Sequence, residues 1–222
     1  MKEKDFRGVR LLLAGFCAAA AAVLALCVTA KTRMPDTVGR ALTAEETARI
    51  VARNSPMTEY VYLSPNADFP RGDAIRKVTV HHMAGDLTLE GVGASFAQRD
   101  RRASSNYGID SGGRVALYVE EGNRAWTSNS LSNDDQAVTI EVANDEVGGE
   151  WHVSDTAYET LVELCVDICR RNGIEELRYT GDESGTLTLH SMFYSETECP
   201  GPYLKGRMGE LAGEVNRRLE DG

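Results

Sequence analysis

The chain has 222 residues and a formal net charge of −10, with 42% hydrophobic and 26% charged residues. That is enough length and apolar content for one medium-sized packed domain with appendages. The charge is uneven: residues 32–222 carry 19 basic and 32 acidic side chains, and a region so acidic lacks the basic patch that phosphate neutralisation requires, which excludes nucleic acid as a partner.

The chain opens on an export segment. Leu11 to Ala30 holds no charged residue and follows four basic ones. Twenty apolar residues at about 1.5 Å each span roughly 30 Å, the thickness of a bilayer core. The basic flank keeps the N-terminus inside and delivers the rest outside the membrane. Two readings stand: an uncleaved signal-anchor helix, favoured by the length of the run, or a signal peptide cleaved after Val28-Thr29-Ala30. Leu26 before Cys27 makes a poor lipobox. Cys17 and Cys27 lie in this segment. Of the others, Cys165 and Cys169 are four apart on a predicted helix, and read as buried thiols rather than a disulfide; with Cys199 they make an odd number outside the membrane.

The domain division follows: residues 1–31 are signal-anchor or signal peptide, 32–61 a linker with a short helix, and 62–222 the folded domain. Thr43-Ala44-Glu45-Glu46 is a capping-box pattern that starts a helix running to about Arg53. Residues 54–74 read as irregular, broken by Pro56, Pro65, Pro70 and Gly72. Ile75 to His82 is the first clear strand, with Thr79 and His81 on one face and Val78, Val80 and His82 on the other. Leu87 to Arg102 reads as helix. Ser105–Asp110 and Arg114–Val119 read as strands joined by the Ser111-Gly112-Gly113 turn. Arg124 to Asp135 is polar and loop-like, and Glu120-Glu121 and Asp134-Asp135 read as solvated charge pairs.

Ala137 to Asn144 is the strongest strand. Val138, Ile140 and Val142 face a core; Thr139 and Glu141 face the other way. An unpaired carboxylate in mid-strand is costly to bury, so Glu141 needs a cleft, a cation, or a solvated sheet face. Ser154 caps a long helix with an apolar stripe from Ala157 to Cys169, stopped at Asn172-Gly173. Leu177–Thr180 reads as a short strand and Gly181–Thr186 as a turn-rich loop. Leu204, Met208, Leu211, Val215 and Leu219 give a final amphipathic helix. Strands alternating with helices in one unit argue for an α/β sheet layered with helices.

The chemistry-bearing residues are few. His190 and Cys199 lie nine positions apart near the C-terminus, and His81-His82 ends a strand about a hundred residues earlier. Two imidazoles and a thiolate with one open position make the donor set of a catalytic zinc site. His81, His190 and Cys199 supply such a set, Pro200-Gly201-Pro202 stiffens the loop behind the thiolate, and Glu141 has the chemistry of the accompanying base. His82 shares a face with Val78 and Val80, which suits a core or supporting role. His152, in a polar loop, reads as solvated. Trp126 either lines a groove or packs a loop.

Three blocks carry a specific resemblance: Val80-His81-His82-Met83-Ala84-Gly85, Thr139-Ile140-Glu141-Val142-Ala143-Asn144, and His190 through Cys199-Pro200-Gly201-Pro202. In order and spacing they resemble the zinc-dependent N-acetylmuramoyl-L-alanine amidases of the type 2 class, which share a fold with phage-lysozyme-type amidases and peptidoglycan-recognition proteins. Ser105 through Asp110 and Asn123-Arg124-Ala125-Trp126 are similar to the versions in autolysins and endolysins of Gram-positive systems. The likeness covers roughly residues 62–220.

The resemblance implies a central mixed β-sheet flanked by helices, with Zn2+ in a cleft on one face held by His81, His190 and Cys199. It implies Glu141 as the catalytic acidic residue and Thr197 as a partner for the oxyanion. It implies peptidoglycan as substrate, cut at the amide between the lactyl group of N-acetylmuramic acid and L-alanine. The N-terminal segment would deliver such a domain outside the cytoplasm, tied to the membrane by its helix or secreted to the wall, and we expect a monomer. Ser105 stands where some members have a catalytic Tyr, and Tyr107, offset by two, reads as a strand aromatic. Thr127 follows Trp126 where many members continue His-Ala-Gly. The competing readings are a non-catalytic peptidoglycan-binding protein of the same fold and, more remotely, a zinc peptidase acting on the stem peptide.

Overall fold

The computed structural model describes residues 33–221. The apolar run Leu11–Ala30, and with it the anchor or signal reading, lies outside the described residues. Among the described residues no helix is long and apolar enough to cross a membrane.

A six-stranded sheet is built from β1 (Thr58–Val61), β3 (Lys77–His82), β4 (Tyr107–Ile109), β5 (Val115–Leu117), β7 (Ala137–Val142) and β8 (Leu187–Leu189), in the order β1-β5-β4-β7-β3-β8. The sheet is mixed: β4 and β5 form the antiparallel hairpin, and every other neighbouring pair is parallel. A small antiparallel ladder joins β2 (Ala67–Asp68) to β6 (Arg124–Ala125). Five helices accompany the strands among the described residues: α1 (Ala44–Val51), α2 (Leu89–Phe96), α3 (Leu131–Gln136), α4 (Asp155–Asn172) and α5 (Gly201–Glu220). The central mixed sheet flanked by helices is therefore as expected.

The two faces of the sheet differ because side chains alternate along each strand. Val78 and Val80 of β3, and Val138, Ile140 and Val142 of β7, are wholly buried. Helix α4 packs on β4 and β7, and α5 on α4 and β8. The stripe of α4 is buried from Ala157 through Cys169, with both Cys165 and Cys169 as free thiols. Ser154 caps this helix by accepting the Ala157 N–H, and Gly173 ends it at φ 66° in the left-handed region, a conformation glycine adopts without a steric penalty.

On the opposite face Ala116, Gly108, Glu141 and His81 are registered neighbours across β5, β4, β7 and β3. The small residues at the β5 end make room for a layer: Leu89, Val92 and Phe96 of α2 cluster with Ala116 and Tyr118, and Tyr60 and Met83 pack at the margin. A Cβ at Gly108 would lie 2.7 Å from Tyr118 Cε2, so the Tyr118 ring occupies the space that glycine leaves.

Several elements differ from the expectations. Residues 54–74 contain β1, an edge strand of the main sheet, so the sheet begins ahead of residue 62. β1 is short and poor in branched apolar residues, and its pairing with β5 comes from distant sequence. Leu177–Thr180 is not a strand: the Leu177 N–H and C=O are both satisfied by the Asn216 side chain of α5, and β8 takes the place beside β3. The helix over 87–102 is confined to Leu89–Phe96, followed by a 3-10 turn at Arg99–Arg101. Arg124–Asp135 holds β6 and most of α3 rather than a plain loop.

Two expected surface carboxylates are buried. Glu121 is 4% exposed and accepts hydrogen bonds from the Tyr107 hydroxyl (2.6 Å), both terminal nitrogens of Arg171 (2.9 and 2.6 Å) and Asn172 Nδ2 (2.9 Å). It ties α4 to the sheet. Asp134, 2% exposed, accepts the N–H groups of Thr127 and Ser128 and the Ser128 hydroxyl. Arg71 joins both regions: its guanidinium donates to the main-chain carbonyls of Glu121, Asn123, Asp134, Asp135 and Ala137. Glu121→Ala is expected to destabilise the protein by roughly 3 kcal/mol, since removing one partner strands the others. Denaturant unfolding followed by circular dichroism measures this; a loss below about 0.5 kcal/mol, typical of an exposed pair, would refute the buried-hub assignment.

Candidate active site

β3 delivers His81 at its end, and β8, paired on its flank, runs straight into a 3-10 turn that begins at His190. The two imidazoles thus emerge from the ends of adjacent parallel strands, where open sheets commonly build sites. Their ring centroids are 4.8 Å apart. Cys199 comes from the turn before α5, with its sulfur 3.6 Å from His81 Nδ1 and accepting the His82 main-chain N–H at 3.4 Å. One donor atom each of His81, His190 and Cys199 lies within 4.8 Å of the others. Among the described residues this is the one such group of His, Cys, Asp and Glu.

The chemistry of the group suits a divalent cation. His81 is 1% exposed and its Nε2 has no hydrogen-bond partner, a costly arrangement for a buried polar atom. Burial, with His190 and His82 nearby, holds the His81 pKa well below the usual histidine value, and burial also lowers that of His190. Each shift favours the neutral ring, the form that ligates a metal. Burial, reinforced by Glu141, pushes the Cys199 thiol up; a bound cation reverses that preference by stabilising the thiolate.

Glu141 stands beside His81 in register on β7, half-buried, with Oε2 unpartnered. Burial pushes its carboxyl up to about 8, against a lowering influence from Arg101. One carboxylate oxygen, Oε2, is therefore shielded from solvent rather than on a fully solvated face. Thr197 is half-buried beside Cys199, and its Oγ1 accepts the Cys199 N–H at 3.2 Å. With that lone pair committed, the hydroxyl proton is left to donate elsewhere.

A cleft of about 600 Å3 leads away from His190, between Arg102, Trp126, Thr127, Leu131 and Tyr194. Trp126 lines it and is steadied by its indole N–H on Asp68 (3.1 Å). The cleft wall is joined to the sheet by a polar row. Thr188, Thr79 and Thr139 are registered across β8, β3 and β7. The Thr79 and Thr188 hydroxyls meet at 2.9 Å, Asn133 donates to Thr79 and Ser128, and Thr127 meets Thr139 at 2.9 Å.

The remaining candidates divide. The His82 ring stands outside the donor group and packs edge-on against Trp151 at 5.1 Å, while its main-chain N–H supports Cys199. His152, expected to be solvated, is indeed partly exposed, with its side chain 43% accessible; it is hydrogen-bonded to Asp145 (2.6 Å) and packs on Tyr203 (4.5 Å). Tyr107 is fully buried against Glu121, a strand aromatic with a structural partner. Sequence reasoning missed Trp151, which falls in no periodic pattern and is marked only by the proximity of distant segments.

A half-buried carboxylate beside a His-His-Cys group, on the open face of a mixed α/β sheet, is the layout of a hydrolase. Residues 71–202 match the profile of the N-acetylmuramoyl-L-alanine amidase family. The chain belongs to that family, hydrolases that cleave peptidoglycan between the N-acetylmuramoyl lactyl group and the L-alanine of the stem peptide. The fold agrees with solved structures. It is similar to Staphylococcus aureus hydrolase AmiA in complex with its ligand (TM-score 0.56, 14% identity, covering 85% of this chain and 94% of that one). It is also similar to the selenomethionine AmpD derivative (TM-score 0.53, 19% identity, 69% and 93%). The endolysin LysCS from Clostridium intestinale is a further likeness (TM-score 0.51, 16% identity, 72% and 97%). No curated protein sequence matches the chain.

The carboxyl of Glu141 generates a pH signature in the metal-free protein. Its native pKa of about 8 lies above the usual 4.5, so between those values the native state binds more protons than the unfolded chain, and stability falls as pH rises. Glu141→Gln removes this dependence. The melting temperature of the metal-free variant, relative to metal-free wild type, is expected to rise from about pH 5 to about pH 8; calorimetry across that window measures it, and a gap that stays constant would contradict the desolvated carboxyl.

Proposed function

We propose that the chain is a zinc-dependent peptidoglycan amidase in which His81, His190 and Cys199 hold the metal, Glu141 moves the proton and Thr197 supports the developing oxyanion. The observation that carries this reading is the convergence of the three donor atoms within 4.8 Å, with Glu141 in register beside His81 and its Oε2 unpartnered. Zinc, when bound, supplies Lewis acidity toward the attacking water and the scissile carbonyl. Glu141 in its ionised form accepts a proton from that water and returns it to the leaving amine of L-alanine. Its neighbours supply no hydrogen bond to Oε2, so the oxygen stays available for this exchange. The Thr197 hydroxyl, with Cys199 N–H already accepted, has its own proton free to donate to the carbonyl oxygen as negative charge grows there.

The muramyl peptide occupies the cleft running past Trp126, Leu131 and Tyr194, whose mixed aromatic and apolar surface suits sugar rings and short side chains. In this reading the chain acts as a monomer. The enzyme works outside the cytoplasm, with residues 1–31 as anchor or signal; the amidase domain takes in part of the expected 32–61 linker, since Thr58–Val61 is a strand of its sheet and Ile50 is buried, and the basic-then-apolar pattern before Lys31 supports this delivery. A binding protein without catalysis has no need of the full donor set or of an unpaired Glu141, and nothing favours it.

Full-length protein is expected to carry about one zinc per chain and to release from cell walls peptides with a free N-terminal L-alanine, identified by mass spectrometry; new reducing sugar ends instead would name the wrong bond. Glu141→Ala is expected to keep zinc and lose about 10²–10⁴-fold in kcat. His81→Ala should lose the metal. Thr197→Val should lower kcat with little change in KM and Thr197→Ser should restore it, while equal rates for both would remove Thr197 from the mechanism.

A further inference from the structure

Trp151 carries a backbone conformation that its side chain disfavours. Its φ is 56°, in the left-handed region that bulky residues rarely enter. Gly148 and Gly149, just before it, take φ of 81° and 57°, so the loop already uses glycine where the chain needs that freedom. A tryptophan at the third left-handed position is unfavourable for the backbone and therefore points to a requirement for the indole. Such a conformation persists only where its surroundings over-determine it. Here the Trp151 N–H donates to Gly148 O (2.9 Å) and its carbonyl accepts from Asn144 Nδ2 (2.7 Å). The carbonyls on either side, of Glu150 and His152, accept from the Tyr203 and Asp145 N–H groups.

The held side chain stands between two segments of the candidate metal site. On one side the His82 ring packs edge-on against it, with 85° between the ring planes. On the other is Gly201, two residues after Cys199. A Cβ at Gly201 would lie 2.8 Å from Trp151 Cβ and 3.2 Å from Cγ, so the Cys199 loop approaches as closely as a glycine permits. The same two segments are joined by the hydrogen bond from the His82 N–H to the Cys199 sulfur.

We propose that Trp151 is a positioning residue for the metal site: its indole sets the spacing between the end of β3 and the Cys199 loop, and thereby fixes the N–H···S hydrogen bond that prepares the sulfur for the metal. The inference rests on the zinc reading above. Supporting contacts of this kind orient a ligand and raise its affinity for the ion.

The test uses full-length protein, with Zn2+ affinity measured by chelator competition and Co2+ substitution read through the thiolate-to-cobalt charge-transfer band. Trp151→Ala and Trp151→Leu are expected to lower zinc affinity by about 10–100-fold and to shift or weaken the cobalt band, while Trp151→Phe, which keeps an aromatic ring against His82, restores most of both. If the Ala variant does not fold, the Leu and Phe pair decides the matter. Folded Leu and Phe variants with equal, wild-type affinity and spectrum would overturn the inference, as would a loss of thermal stability with the metal properties unchanged. Wild-type protein that binds no zinc, or whose cobalt band survives Cys199→Ser, would instead overturn the zinc reading itself.

Discussion

The parallel register between β3 and β7 is the constraint on which the site depends. It pairs Val80 with Ile140 and His81 with Glu141. Burial of the valine and isoleucine side chains against the helical layer fixes the register, because a slip of one residue would turn every apolar side chain outward. The same lock puts an imidazole and a carboxylate side by side on the opposite face. β8, on the other flank of β3, is held by its own register and ends where His190 begins. Packing on one face of the sheet thus sets the placement of His81, Glu141 and His190 on the other.

Desolvation is the second unifying cause. It lowers the proton affinity of the two imidazoles, raises that of the Cys199 thiol and raises that of Glu141. These shifts run in opposite chemical directions, yet each favours the uncharged form. Without a cation the site is a set of neutral donors in a poorly hydrated recess. His81 Nε2 and Glu141 Oε2 are buried without a hydrogen-bond partner, whereas the Glu121 and Asp134 carboxylates elsewhere are hydrogen-bonded.

Much of this was legible in the sequence wherever the signal was local. The β-branched alternation of β3 and β7, the Ser154 cap and Gly173 stop of α4, and the stripe of α5 all announced themselves, as did the odd placement of Glu141 in mid-strand. His81, His190 and Cys199 were found by residue type and order. What was missed depends on partners distant in sequence. Thr58–Val61 becomes a strand because β5 offers an edge. Leu177 gives up strand pairing because Asn216 satisfies its backbone. Glu121 and Asp134 look like surface acids until Arg171, Tyr107 and Ser128 are brought to them. Trp151 sits in an irregular loop, and its importance comes from two segments that meet only in the folded chain.

The polar row Thr188–Thr79–Thr139, joined through Asn133 and Thr127 to the cleft wall, has a consequence for how such an enzyme changes over time. The inner wall of the groove is fastened to the strands that carry the chemistry, whereas Arg102, Leu131 and Tyr194 line its exposed rim. If the groove takes the muramyl peptide as proposed, substitutions at the rim alter which wall fragments are gripped without disturbing the strands beneath, and choice of substrate is free to drift while the proposed ligands and base stay fixed.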